Sequence, residues 1–228
     1  MNKSVFILFL LVLLNACGTS KNAVSNEKTE EDIVVNTNAE LAIAGASNFD
    51  SDEDLNIKTA ILKNVLADKS GAYIGHQMDK LALYLKDRIE YNELLRAGEG
   101  LILELNNTKT FYFDTGKTSL NPTSKETLNV VINSLKVNPK INAVIEIHTD
   151  GKGANNVNLV MTEKRGKSIY DYFISQGIDA DRLNLLALGE NFPQNENSST
   201  QELNNNRRVA FGFYASEALK EEARMMTK

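Results

Sequence analysis

The chain has 228 residues, 42% of them hydrophobic and 24% charged, with a formal charge of −5. That balance suits a globular core of ordinary composition and argues against nonspecific nucleic-acid binding, which needs a basic face. One cysteine excludes an intramolecular disulfide, and two histidines leave little for metal or nucleophilic chemistry.

Residues 1–16 read as a targeting signal. Lys3 supplies a positive start and Val5–Leu14 is an unbroken apolar run. A membrane-spanning helix takes about 20 such residues, so this run is too short to remain as one. Leu14-Asn15-Ala16-Cys17 follows directly and resembles the lipobox of bacterial lipoproteins. That resemblance implies cleavage before Cys17, a diacylglyceryl group on its sulfur and acylation of the new amine. Several acyl chains anchor stably where one is marginal, at about 0.8 kcal/mol per buried methylene. Gly18 is not the aspartate that retains enteric lipoproteins at the inner membrane. The expected location is therefore the outer membrane, lipid-anchored and facing the periplasm. The competing reading is an ordinary secretory signal followed by an incidental cysteine.

Residues 17–54 are rich in Ser, Asn, Thr and acids and show no sustained period, which predicts a flexible tether. Some 35 such residues reach roughly 30–35 Å. Residues 55–97 read as an amphipathic helical segment in two pieces. Ile57, Ile61, Leu62, Val65 and Leu66 mark one stripe, and Ile74, Met78, Leu81, Leu85 and Ile89 a second. Ser70-Gly71 is the expected break, because Gly costs about 1 kcal/mol relative to Ala inside a helix. Gly71 and Gly75, four apart, suit a close helix contact, and GAYIGHQMDKLALYL resembles the segment preceding the binding domain in glycine-zipper lipoproteins. The plainer reading is an amphipathic helix packing on its own domain or on a sister chain. This segment is the expected contact for a second copy or for another envelope protein.

Residues 98–215 carry the domain proper. GLILELNN reads as a strand, with a turn near Asn106-Asn107 and strand-like TFYF after it. Pro122 and Ser124 open a helix in which Thr123 and Glu126 are spaced as a capping box, and Leu128, Val131, Ile132 and Leu135 form its buried face. Ile141–Ile147 is the next strand, with Ile141, Ala143, Ile145 and Ile147 on one face. A long helix follows, whose buried face is set by Val160, Met161, Ile169, Tyr172 and Phe173. Arg182–Leu188 and Val209–Tyr214 are further strands, and 216–228 holds a terminal helix. Strands alternating with helices predict an α/β (α+β) domain of order β-α-β-α-β-(α)-β with a mixed sheet.

One charge stands out in this pattern. Arg165 lies four residues after Met161 and four before Ile169, on the face of the long helix expected to be buried. A guanidinium there needs an anion, and the nearest is Asp150, at the carboxyl end of the preceding strand, where ligands of α/β units collect. Residues alone leave two readings open: a structural Asp150–Arg165 pair or a ligand site. Asn158 is positioned to cap the helix.

The stretch HTDGKGANNVNLVMTEKRGKSIYDYFISQGI resembles the OmpA-like C-terminal domain, whose usual form is GHTDxxGxxxxNxxLSxxRAxxVxxYLxxxGI. His148, Thr149, Asp150, Gly153, Asn158, Arg165, Tyr172, Gly177 and Ile178 fall in register, with Arg182, Gly189, Glu190, Pro193 and Asn206-Arg207-Arg208-Val209 matching further on. Phe113-Asp114 to Leu120 corresponds to the FDxxxxxL segment. Ile147 stands where the family has glycine, and Lys152 is unusual in the loop.

This resemblance implies noncovalent binding of peptidoglycan through the diaminopimelate of its stem peptide. Asp150 takes the ammonium of that zwitterion and Arg165 forks onto its carboxylate. His148, Thr149, Asn158, Thr162, Asn206, Arg208 and Asp114 are expected to support the site, while Arg207 and Arg208 equally fit ordinary strand-edge charges. No cofactor, metal or catalytic residue is expected. Two other functions compete. A hydrolase would need Glu146 and Asp150 in one cleft, although Glu146 also fits an exposed face. An envelope scaffold of the motor-stator kind would need an uncleaved membrane helix.

Overall fold

The computed structural model describes residues 56–66, 68–91, 93–106 and 109–228. The leader, Cys17 and the tether expected over 17–54 lie outside the described residues. The first described element is a short helix, α1 (Ile57–Leu62), whose cap Asn56 accepts from the Thr59 N–H at 3.0 Å. Helix α2 (Lys69–Lys86) follows. The break between them is not at Ser70-Gly71, which are buried in the first turn of α2. It falls at Asp68, whose carboxylate accepts from the Ser70 and Gly71 N–H groups and satisfies donors a helix start leaves open.

Ile57 and Ile61 of the first stripe are buried, but Leu62 is exposed and Val65 and Leu66 lie beyond α1. The second stripe, Ile74 to Ile89, is buried in the main core, and α2 packs on α6, α3 and β2 of its own chain. The glycines make no close helix contact. A side chain at Gly75 would meet nothing within 4 Å, and one at Gly71 would meet Glu99 and the Leu66 carbonyl.

The helical reading of 55–97 also fails at its end. Glu93–Ala97 is a strand, β1, turning at 98–99 into β2 (Gly100–Asn106), with Leu94 opposite Leu103 and Arg96 opposite Leu101. Five residues are too few to display either period, so pairing with β2 decides. The expected TFYF strand is absent as well. Phe111–Phe113 is irregular, and Ser124 fixes its backbone by donating to the Tyr112 carbonyl at 2.7 Å and accepting from the Tyr112 N–H at 3.0 Å.

Helix α3 (Pro122–Val137) has Pro122 in its first turn and is capped by Asn121, which accepts from the Ser124 N–H at 2.8 Å; this takes the place of the expected Thr123–Glu126 box. Strand β3 (Ile141–His148) leads through a loop to α4 (Asn155–Ser175). A 3-10 turn, Ala180–Arg182, precedes β4 (Leu183–Gly189), so Arg182 lies outside the strand and donates to the carbonyls of Leu135, Asn138 and Ile141. Then come α5 (Thr200–Asn206), β5 (Arg208–Ala215) and α6 (Glu217–Met226).

The sheet is mixed, in the order β1-β2-β5-β3-β4, with β3 and β4 parallel and the other neighbours antiparallel. Ile141, Ala143, Ile145 and Ile147 of β3 point into the main core with Phe211 and Phe213 of β5 and the buried faces of α2, α3 and α4. Gly166 brings α4 close to the sheet: a Cβ there would lie 2.6 Å from Leu185 Cδ1 and 2.9 Å from Ile147 Cδ1. The helix therefore presents Asn158, Thr162, Gly166, Ile169, Tyr170 and Phe173 to the sheet, while Val160, Met161 and Tyr172 of the expected face are only half-buried.

The opposite face is covered too. Ile57, Ala60 and Ile61 of α1 pack on Val144, Ile102 and Ala210. Gly212 of β5 permits that contact, since a Cβ would lie 2.6 Å from Ile57 Cγ1 and 2.7 Å from Val144 Cγ1.

Candidate functional site

The carboxyl end of β3 and the start of α4 open onto a cleft of about 450 Å³. Its opposite wall is the irregular segment that includes Phe113, Thr115 and Gly116, and the junction of α5 and β5 adds Arg207 and Arg208. Register places these groups together. Ile147 pairs with Val209, and His148 with Gly189, so the ends of three strands converge where the β3–α4 loop departs.

Asp150 and Arg165 both line this cleft, but they do not form an ion pair with each other. Asp150 is buried and its Oδ2 is held by the Arg207 guanidinium, while Oδ1 accepts from the Lys152 N–H at 3.1 Å. Arg207 also donates to Asn204 Oδ1 at the end of α5. Arg165 is half-buried. Its Nε donates to the Lys117 carbonyl at 3.0 Å, and its guanidinium lies 4.8 Å over the Phe113 ring. Burial lowers the Arg165 pKa and the neighbouring Arg207 lowers it further, with Asp150 opposing. The structural-pair reading thus needs correction: the partner of Asp150 is Arg207, and Arg165 rests on a carbonyl and an aromatic face.

Behind the cleft lies a buried polar chain. Glu146, for which the sequence leaves open an exposed face, is 4% exposed. One of its oxygens accepts from the Ile57 N–H at 2.5 Å, and the other lies 2.8 Å from His148 Nε2. His148 ends β3, with Nδ1 3.0 Å from the Asn191 carbonyl, and Arg208 Nη2 lies 3.1 Å from His148 Nε2 and donates to the Phe192 carbonyl. Burial lowers the Arg208 pKa, opposed by Glu146 and then Glu104. Arg208 Nε and Nη1 and the Thr149 hydroxyl are buried without a hydrogen-bond partner among the described residues. Glu146 does not line the cleft, so it does not share it with Asp150.

The remaining expected residues divide in two. Thr149 and Asn158 line the cleft. Asn158 is not a cap, since Ala154 holds that position. Instead its amide donates to Glu190 at 2.6 Å and to the Lys152 carbonyl at 3.1 Å, tying the loop to the next strand end. Thr162, Asn206 and Asp114 do not line the cleft. Thr162 accepts from the Gly189 N–H at 3.0 Å, and Asn206 accepts from the N–H groups of Gln194 and Asn195 and donates to Asn197. Asn197 in turn accepts from the Gly151 N–H at 2.9 Å, so Asn206 shapes the loop from a distance. Asp114 is exposed on a turn, its carbonyl accepting from the Lys117 N–H. Sequence reasoning assigned Arg207, Phe113 and Lys117 no place among the site residues, and their roles arise from contacts across 57, 52 and 48 positions of the chain respectively.

The OmpA family model matches residues 112–207, which include most of the cleft. The probable lipoprotein YiaD of Escherichia coli is 30% identical over 154 residues, covering 67% of this chain and 69% of that one. The peptidoglycan-associated lipoprotein of Pseudomonas putida is 33% identical over 100 residues, covering 44% of this chain and 60% of its own length. Among solved structures, a MotB-like protein from Desulfovibrio vulgaris superposes with a TM-score of 0.57 at 20% identity, over 64% of this chain and 94% of that one, a likeness of fold. The match of sequence across most of the described residues, with the fold to go with it, makes this chain a member of the OmpA family.

Proposed function

We propose that this protein is an outer-membrane lipoprotein that binds peptidoglycan without a covalent bond and so links membrane to cell wall. The observation that carries the proposal is the cleft itself. A buried carboxylate, Asp150, and a half-buried guanidinium, Arg165, that has no carboxylate partner among the described residues line one small opening. That pair complements the free end of diaminopimelate, an ammonium and a carboxylate on one carbon. Thr149 Oγ1, buried in the cleft with no partner among the described residues, is a further hydrogen-bonding group for the same ligand. The names of its relatives support the reading, because they include peptidoglycan-associated lipoproteins and a peptidoglycan-binding protein. Acylated Cys17 is the proposed anchor, and 17–54 the tether between bilayer and wall.

Co-sedimentation with purified sacculi tests this. The full-length chain, held in a mild nonionic detergent, should pellet with sacculi, be released by free diaminopimelate and fail to pellet as Arg165→Ala. A folded sample that stays in the supernatant would mean the cleft takes another ligand. Mass spectrometry of the chain purified from membranes tests the anchor, which requires an acylated Cys17 as the first residue.

A further inference from the structure

The charges of the cleft do not balance for a simple zwitterion. Arg207 holds Asp150, and Arg208 has Glu146 behind it, so Arg165 is left without a carboxylate partner among the described residues. When a ligand ammonium takes Asp150, Arg207 loses its counter-charge. Two guanidiniums, Arg165 and Arg207, then face a single ligand carboxylate. These cations are near enough that the charge of Arg207 already disfavours protonation of Arg165. Lys152, exposed in the loop beside Asp150, adds to the excess. One more carboxylate on the ligand gives each of the two guanidiniums a counter-charge, and an unpaired cation in a partly desolvated site is costly.

We infer that the cleft selects stem-peptide ends whose diaminopimelate itself carries a second free carboxylate, and that Arg207 is the residue that reads it. This rests on the diaminopimelate reading above. Diaminopimelate is an amino acid at both ends: the free end supplies the ammonium and the first carboxylate. The peptide-linked end supplies a second carboxylate whenever diaminopimelate is the last residue of the stem. The ligand class is therefore short stems that end at diaminopimelate and are not cross-linked. Arg207 suits the task because its two terminal nitrogens rest on Asp150 and Asn204, while its side chain is 34% exposed and free to turn toward a ligand. A planar fork can exchange one carboxylate for another without losing hydrogen bonds.

Calorimetric titration of the full-length chain in detergent, with two synthetic tripeptides, tests the inference. Both are L-Ala-γ-D-Glu-diaminopimelate; one is amidated at the peptide-linked carboxylate of diaminopimelate. The acid should bind roughly tenfold tighter than the amide, the scale of one charge-assisted hydrogen bond. Arg207→Gln should erase that difference by weakening the acid more than the amide. Arg207→Lys, which keeps the charge, should retain part of the preference. Equal binding of acid and amide by the wild type overturns the inference while the diaminopimelate reading stands. Equal loss of both in Arg207→Gln overturns it too, since Arg207 would then only position Asp150. Binding of neither peptide by the wild type overturns the reading of the site, and the inference with it.

Discussion

Glu146 and Ile57, 89 residues apart, meet in a hydrogen bond between the buried carboxylate of β3 and the first backbone N–H of α1. The same carboxylate reaches His148, which lines the cleft with Arg208. One buried charge thus ties the element nearest the expected tether to the back of the proposed binding site.

Removing that carboxylate should be expensive. Glu146→Ala leaves the Ile57 N–H, His148 and Arg208 without their acceptor or counter-charge, and breaking a buried pair from one side costs about 3–5 kcal/mol. Glu146→Gln keeps an acceptor for Ile57 and should lose less. Urea unfolding of the two variants should show this order, with the slope unchanged.

Gly212→Val should dislodge α1 without itself meeting any residue that lines the cleft. The new side chain would occupy the space of Ile57 and Val144. Overpacking of this kind costs about 1–3 kcal/mol. Amide exchange at Ala60 and Ile61 should accelerate far more than exchange in α3, which packs on the other face. Unchanged protection of α1 would mean that the strand yields instead.

Asp150→Ala and Arg165→Ala should each reduce affinity for diaminopimelate peptides by about 2–5 kcal/mol, because each leaves a ligand charge unpaired in a partly desolvated site. The double variant should lose less than the sum, as both groups serve one zwitterion. Arg165→Lys should recover only part of the loss. An ammonium keeps the charge but gives up the fork, the bond to the Lys117 carbonyl and the guanidinium face on Phe113. Titration of both single alanine variants, the double variant and Arg165→Lys against wild type measures these losses.

Acid should loosen the start of α5, the helix that carries Asn204 and ends at Arg207. Glu202 closes a capping box at the start of α5, accepting from the Ser198 hydroxyl and N–H while Ser199 accepts from the Glu202 N–H. The Ser198 hydroxyl, then its N–H, holds the Glu202 pKa below the usual glutamate range. A carboxylate depressed in the folded state contributes stability above its unfolded pKa and loses it as pH falls through the folded value. Ser198 amide protection should therefore fall on acidification in the wild type and show no such step in Glu202→Gln.

Local pattern determined much of this molecule. The spacing of Leu128, Val131, Ile132 and Leu135 defined the buried face of α3, and the alternation of β3 defined which side meets the main core, because each is a repeat within one element. The placement of Asp150 at a strand end and Arg165 nearly three turns into the next helix brought both to one cleft for the same reason. Distant contacts decided the rest. Glu146 reads as an exposed alternate of β3, and only α1 arriving on the second face buries it. Glu93–Ala97 is too short to carry a period and becomes a strand through pairing with β2. Gly166 lets α4 lie so near the sheet that small and polar residues replace the apolar stripe in the contact. Arg207 stands beside Asp150 because β5 lies next to β3 in the sheet, a neighbour relation set by strand order and invisible along the chain.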